Sequence, residues 1–151
     1  MGCITTTCCI SWRFSIMASQ LKVDTLTGVT TAGSIVVTGE GNSTTTNLQQ
    51  GLAKFYSNIN GTGTIATRDS FNQSGITDNG TGDYDFAFTN NMGNDDYTTM
   101  VGCDSASNHL CMHYSEGEQN AGGCRCFVLE LSGPSGTDTA VVMMDVHGDL
   151  A

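Results

Sequence analysis

The sequence predicts an all-β fold: an antiparallel β-sandwich of about seven or eight strands, preceded by a thin N-terminal β/linker segment and a short helix. Three observations carry this. Tyr84, Phe86 and Phe88 alternate with Asp83, Asp85, Ala87 and Thr89, and period-two alternation puts three aromatic rings on one face of a strand. Just before them, Asp78-Asn79-Gly80-Thr81-Gly82 supplies residues that tolerate the positive φ of a tight hairpin. The third is composition: Thr and Gly are heavily used, proline occurs once, at Pro134, and 13% of residues are charged. Such a chain suits strands and turns better than helices. At 151 residues it can bury one core of its own.

The first sixteen residues, MGCITTTCCISWRFSI, hold three cysteines and the single tryptophan, Trp12, but no acid. The stretch is too short to span a membrane. With one basic residue and a Thr-interrupted apolar run it makes a poor signal peptide. Gly2, Cys3 and Thr6 match an acylation pattern, and two acyl chains would anchor the protein in a eukaryotic host. Met17, however, opens MASQLKVDTLTG, which reads as a natural beginning. Residues 1–16 are therefore expected to be an upstream or processed extension, leaving four cysteines.

Residues 17–47 read as an attachment and oligomerisation segment, and residues 48–151 as the sandwich head. In the first segment Leu21, Val23 and Leu26 precede Gly28, 34–38 (SIVVT) is a strand, and 41–46 (GNSTTT) is a polar linker. The segment is poor in large side chains, so it needs a partner chain to cover it. Thr46 or Asn47 can cap a helix. Leu48, Leu52, Phe55, Tyr56 and Ile59 fit one helical face, but Gly51 weakens a long helix. The expectation is a helix over 48–54, then a strand over 55–60.

Strands follow over 64–68 and 70–77, then the hairpin and the aromatic strand. Asn90 to Asp96 is a loop. Further strands are expected over 97–103, 108–115, 125–131 and 139–147, with a polar, Gly-rich turn over 116–123 and SGPSG before the last. Turn signals every 8–12 residues or so mark a sandwich or barrel.

The formal net charge is −10, with five Lys or Arg against fifteen Asp or Glu. Arg13, Lys22, Lys54, Arg68 and Arg125 are scattered, whereas nucleic-acid binding needs clustered positive charge. Nucleic acid is not an expected partner, and neither is membrane insertion. The seven cysteines cannot all pair internally. Free, partly buried thiols in a reducing compartment are the default, and a disulfide among Cys103, Cys111, Cys124 and Cys126 depends on compartment.

The candidate metal ligands are His109, Cys111 and His113 with Cys124 and Cys126. On strands, His109, Cys111 and His113 share a face, as do Cys124 and Cys126. Pairing of the two strands would bring nitrogen and sulfur donors together for zinc. The spacing is not the C-x₂-C of a zinc knuckle, and strand alternation with cysteine as a small hydrophobe explains the same pattern. Asp78, Asn79, Asp83 and Asp85 fail the calcium-loop pattern, because Gly80 occupies a ligand position and no Glu follows at the right offset. There is no G-x-S-x-G, H-E-x-x-H or P-loop, and Asp95-Asp96 lies in a loop. No catalytic residue and no cofactor are expected.

LKVDTLTGVTTAGSIVVTGEGNSTTTNLQQGLAK and NGTGTIATRDSFNQSGITDNGTGDYDFAFTNNM resemble virion structural proteins of tailed bacteriophages, notably marine ones, of the tail-fibre-like or appendage kind. The likeness covers about residues 17–92 and is most specific in RDSFN and ITDNGTGDY. It fades beyond Tyr97, so nothing is carried over to the Cys/His group. The resemblance implies an N-terminal attachment segment and a β-sandwich head, often trimeric, located in the virion. The implied partners are other copies, other virion proteins, and a host surface glycan or receptor. A carbohydrate-binding or metal-stabilised β-sandwich module is the alternative.

Overall fold

The computed structural model describes residues 21–28, 35–39, 43–104, 108–113, 116–133 and 135–150. Residues 1–16, with the acylation pattern at Gly2 and Cys3, lie outside the described residues.

The strands are β1 (Val36–Thr38), β2 (Thr45–Asn47), β3 (Phe55–Asn60), β4 (Ala66–Phe71), β5 (Gln73–Gly80), β6 (Asp83–Phe88), β7 (Thr98–Cys103), β8 (His109–His113), β9 (Gly123–Glu130), β10 (Ser135–Gly136) and β11 (Val142–His147). One short helix, α1 (Leu48–Gly51), lies between β2 and β3. The fold is an all-β sandwich of two packed antiparallel sheets. One has four strands in the order β4-β3-β11-β7. In the other, of five strands, β9 is the hub, pairing with β6, β8 and β10, while β5 extends the sheet beyond β6.

Alternation dictates what each strand buries. β3 turns Phe55, Ser57 and Ile59 inward, β6 Tyr84, Phe86 and Phe88, β9 Cys124, Cys126 and Val128, and β11 Val142, Met144 and Val146. With Met92 and Tyr97 these apolar residues form the core. Phe55 packs on Phe88 at 4.9 Å between ring centroids and on Phe86 at 6.0 Å, and Phe88 meets Tyr97 at 5.7 Å. Each large side chain so buried contributes about 1.5–3 kcal/mol, which makes this ring cluster the main source of cohesion between the sheets.

The structure corrects several boundaries. The helix is four residues, Leu48–Gly51, not 48–54. Asn47 Oδ1 accepts from the N–H groups of Gln49 and Gln50, but past Gly51 the chain turns extended at Leu52. Lys54, placed in the helix by its sequence, is buried, and its ammonium donates to the carbonyls of Gln49 and Leu52, closing that helix end. Phe55 and Ile59 are buried by a strand's period of two, so Tyr56 points outward. Thr45 and Thr46, expected in a linker, form β2 against β1. The two-residue β10 was not expected.

The break between β4 and β5 falls at Asn72, not at Asp69. Asn72 has φ +62°, the left-handed region Asn tolerates better than most residues. Its side chain donates to the carbonyls of Lys54 (2.9 Å) and Asn90 (3.0 Å) and accepts from the Asn90 N–H (2.7 Å). This one residue ties three segments together where the chain leaves one sheet for the other. The predicted hairpin lies at Gly80–Gly82, where Asp78 Oδ1 accepts from Gly80 N–H and Asn79 Nδ2 donates to Asp85 Oδ2 at 2.8 Å. Gly82 has φ +73°, and a Cβ there would run into the Val128 carbonyl and Thr137.

Candidate functional site

β8 and β9 do pair, in the register Cys111↔Val128 and His113↔Cys126. His109, Cys111 and His113 all turn to the inner face of β8, toward Cys124 and Cys126 on β9. Yet among the described residues no group of three or more His, Cys, Asp or Glu is gathered closely enough to hold a metal ion. Spacing along each strand spreads the donors instead of converging them. His109 Nδ1 turns to Asp104, 3.2 Å from its carbonyl and 3.5 Å from Oδ1. His113 Nε2 is buried without a hydrogen-bond partner. The five predicted ligands share a wall of the sandwich but do not form a coordination sphere.

The wall is a seam of sulfur. Cys103 ends β7, Cys111 lies on β8 beside β9, and both pack against the core to which Cys124 and Cys126 belong. Cys124 Sγ lies 3.0 Å from Met144 Sδ. All four cysteines are free thiols. Burial pushes the Cys103 thiol up to about 11 and the Cys124 thiol up to about 12. The hydrogen bond from Cys126 holds Cys111 below the ordinary thiol range, while the same contact raises Cys126.

On the outer face of the five-stranded sheet, Arg125 makes a bidentate pair with Asp83 at 2.6 Å, with Asp85 and Glu118 at 3.6 and 3.5 Å. The Asp83, Asp85 and Arg125 positions are neighbours across β6 and β9. Paired charges of this kind hold one another and leave little for a ligand.

The outer face of the four-stranded sheet is different. Its register sets Phe71, Tyr56, Asp145 and Met100 side by side across β4, β3, β11 and β7, with Asn58, Met143 and Gly102 in the adjoining row. Tyr56 and Phe71 stack at 6.0 Å and 24°. Met100 is 66% exposed. Gly102 carries no side chain, and a hollow of about 370 Å³ opens over Tyr56, Asn58, Met100, Gly102, Met143 and Asp145. Asn58 Oδ1 and Asp145 Oδ1 are buried without a hydrogen bond, and His147 Nε2 lies 3.5 Å from Asp145 Oδ1. An apolar floor beside the Tyr56 ring can take a ligand that stacks.

The sequence reading missed this face. The signal was present in the alternation of FYSNIN and VMMDVH, whose outward members are Tyr56, Asn58, Met143 and Asp145. Both segments were expected as strands, but their pairing side by side, which joins the two outward faces, is not encoded in either one.

Comparison of the chain with protein-family models, with curated proteins and with solved structures gives no match. Among the described residues no helix is long and apolar enough to cross a membrane.

Proposed function

We propose that this protein is a non-enzymatic structural component of a tailed-phage virion, a tail-fibre-like or surface appendage protein working as a homo-oligomer, most simply a trimer, in assembly or host attachment. The observation that carries the reading is the state of the N-terminal segment. Val36 and Val37 of the β1–β2 hairpin are 51% and 53% exposed, and Leu21, Val23 and Leu26 are exposed as well. Among the described residues the hairpin packs chiefly against α1, not against the sandwich. A lone two-stranded hairpin is marginal in water, and the cover its apolar side chains lack is what further copies supply. The resemblance of residues 17–92 to phage appendage proteins supports the same reading.

Light scattering of the purified chain at micromolar concentration, with mass spectrometry of purified particles, tests it. An oligomer in solution and the chain in particles are expected. A stable monomer absent from particles would sink the proposal.

A second reading, a carbohydrate-binding module, is favoured by the stacked Tyr56–Phe71 pair at the hollow over Met100 and Met143. Titration with a panel of oligosaccharides, followed by NMR of the methionine methyls, should move Met100 and Met143. No movement with any sugar would remove this reading and leave the first intact.

A further inference from the structure

We infer that Asn79 is a self-modifying residue: the Gly80 nitrogen attacks its side-chain amide, converts it to aspartate and isoaspartate, and so loosens the β5–β6 hairpin as the protein ages. The reaction needs an asparagine followed by a residue whose nitrogen is unshielded and whose backbone can turn, which glycine supplies best. The chain offers that pair at two places, Asn60-Gly61 and Asn79-Gly80.

The fold treats the two pairs differently. Gly61 is buried, its N–H donates to the Thr139 carbonyl at 2.9 Å, and its carbonyl accepts from the Tyr84 hydroxyl at 3.3 Å. A Cβ there would run into the Tyr84 hydroxyl and the Thr139 carbonyl, so this peptide has no room to turn. The Asn60 side chain is held over Thr62, bonded to its N–H, hydroxyl and carbonyl. Asn79 and Gly80, by contrast, are exposed, at the end of the edge strand β5. Gly80 has φ +138°, and a Cβ there would meet nothing within 4 Å. Its N–H donates to Asp78 Oδ1 at 3.0 Å, and Asn79 Nδ2 donates to Asp85 Oδ2 at 2.8 Å. Both are bonds to exposed side chains, which water replaces at little cost.

Hydroxide takes the Gly80 N–H proton. The nitrogen attacks Asn79 Cγ, a C–N bond forms, and the Cγ–Nδ2 bond breaks. Nδ2 takes a proton from water and leaves as ammonia, which restores the hydroxide. Water then adds to one carbonyl of the succinimide ring, and a ring C–N bond breaks. Opening at Cγ gives aspartate. Opening at the backbone carbonyl gives isoaspartate, with an added methylene in the main chain. One water is consumed and one ammonia released, with no oxidation or reduction. Either product loses the bond to Asp85 and adds a negative charge beside Asp78 and Asp85. Isoaspartate also lengthens the hairpin that leads into Tyr84 and the aromatic strand. The inference is independent of where the protein acts.

The test incubates the folded full chain at mildly alkaline pH in water enriched in heavy oxygen. The chain is then cleaved with chymotrypsin and its peptides are sequenced by tandem mass spectrometry. Asn79 is expected to show the amide-to-acid mass change, the oxygen label and a share of isoaspartate, while Asn60 stays an amide. In the urea-unfolded chain both should convert, because the protection of Asn60 lies in the fold. The aged protein and Asn79→Asp should melt at a lower temperature than the fresh protein. Asn79→Gln, whose longer side chain closes a ring far more slowly, should keep its melting temperature through the same incubation. Asn79 remaining an amide in the folded chain, Asn60 converting there as fast as Asn79, or conversion at Asn79 with an unchanged melting temperature would each overturn the inference. Should either variant fail to fold, the labelled peptides and the melting of the unaltered chain decide alone.

Discussion

The Tyr84 hydroxyl lies 2.9 Å from Asp138 Oδ1, and the same oxygen accepts the Gly82 N–H at 2.8 Å. One carboxylate oxygen thus anchors both the start of the aromatic strand and the turn before it. The Tyr84 hydroxyl also approaches the Gly61 carbonyl at 3.3 Å. The ring is fully buried, so its hydroxyl has to be satisfied from within.

Asp138→Ala strands two donors and is expected to destabilise the fold by about 2–3 kcal/mol; Tyr84→Phe removes one donor and should cost about 1 kcal/mol. Urea unfolding of both variants and of the double variant checks this. The double variant should cost less than the sum, because the two residues share one interaction. Strict additivity would show that they act separately.

Asn72→Ala is expected to cost about 2 kcal/mol, from the lost bonds to Lys54 and Asn90 and from a left-handed backbone that alanine adopts poorly. Asn72→Gly accepts the backbone but not the bonds and should fall between the two. If Gly and Ala are equally damaging, the hydrogen bonds carry the whole effect.

Stability should decline on the alkaline side. Cys103 and Cys124 have pKa values raised by burial to about 11 and about 12 from an ordinary 9.0. Tyr84 and Tyr97 are raised by burial in the same sense. A raised group keeps its proton in the folded chain after the unfolded chain has released it. Its contribution is fully present below the unfolded value and is lost as pH rises through the folded value. The melting temperature should therefore drop progressively from about pH 9 to about pH 12, and less steeply in Cys124→Ala. Thermal melts across that range measure it, and a flat profile would contradict the burial of these groups.

Val37→Asp places a charge on the exposed face of the hairpin, away from the sandwich core. It should shift the oligomer toward monomer in light scattering without changing the unfolding of the sandwich. An unchanged mass would mean that the copies meet elsewhere, with the outer face of Tyr56, Met100 and Met143 the next surface to substitute.

Much of the fold was legible because burial on one face leaves a period-two trace. The limits of Phe55–Asn60 and the inward Tyr84, Phe86 and Phe88 follow from that trace alone. The break at Asn72 was not legible, since its reason is a contact with Lys54 and Asn90, both distant in sequence. The stop of α1 at Gly51 was half legible: glycine weakened the helix, but the buried ammonium of Lys54 that closes it is a tertiary matter. The shared face of the Cys/His group could be read from spacing. Whether its donors converge depends on register and twist between β8 and β9, which spacing does not encode. The hollow over Gly102 required four strands to be set side by side, and β11 reaches that sheet from the far end of the chain.

That last placement governs how the molecule is made. β11 occupies the interior of its sheet, between β3 and β7. A nascent chain that has already produced Phe55, Ile59 and Tyr97 cannot close over them until Val142–His147 has left the ribosome. Closure of this sheet therefore waits on a long-range pairing and is paced by the closure of a long loop. Until then the unfinished chain exposes its aromatic residues, the kind of surface through which partly folded chains aggregate.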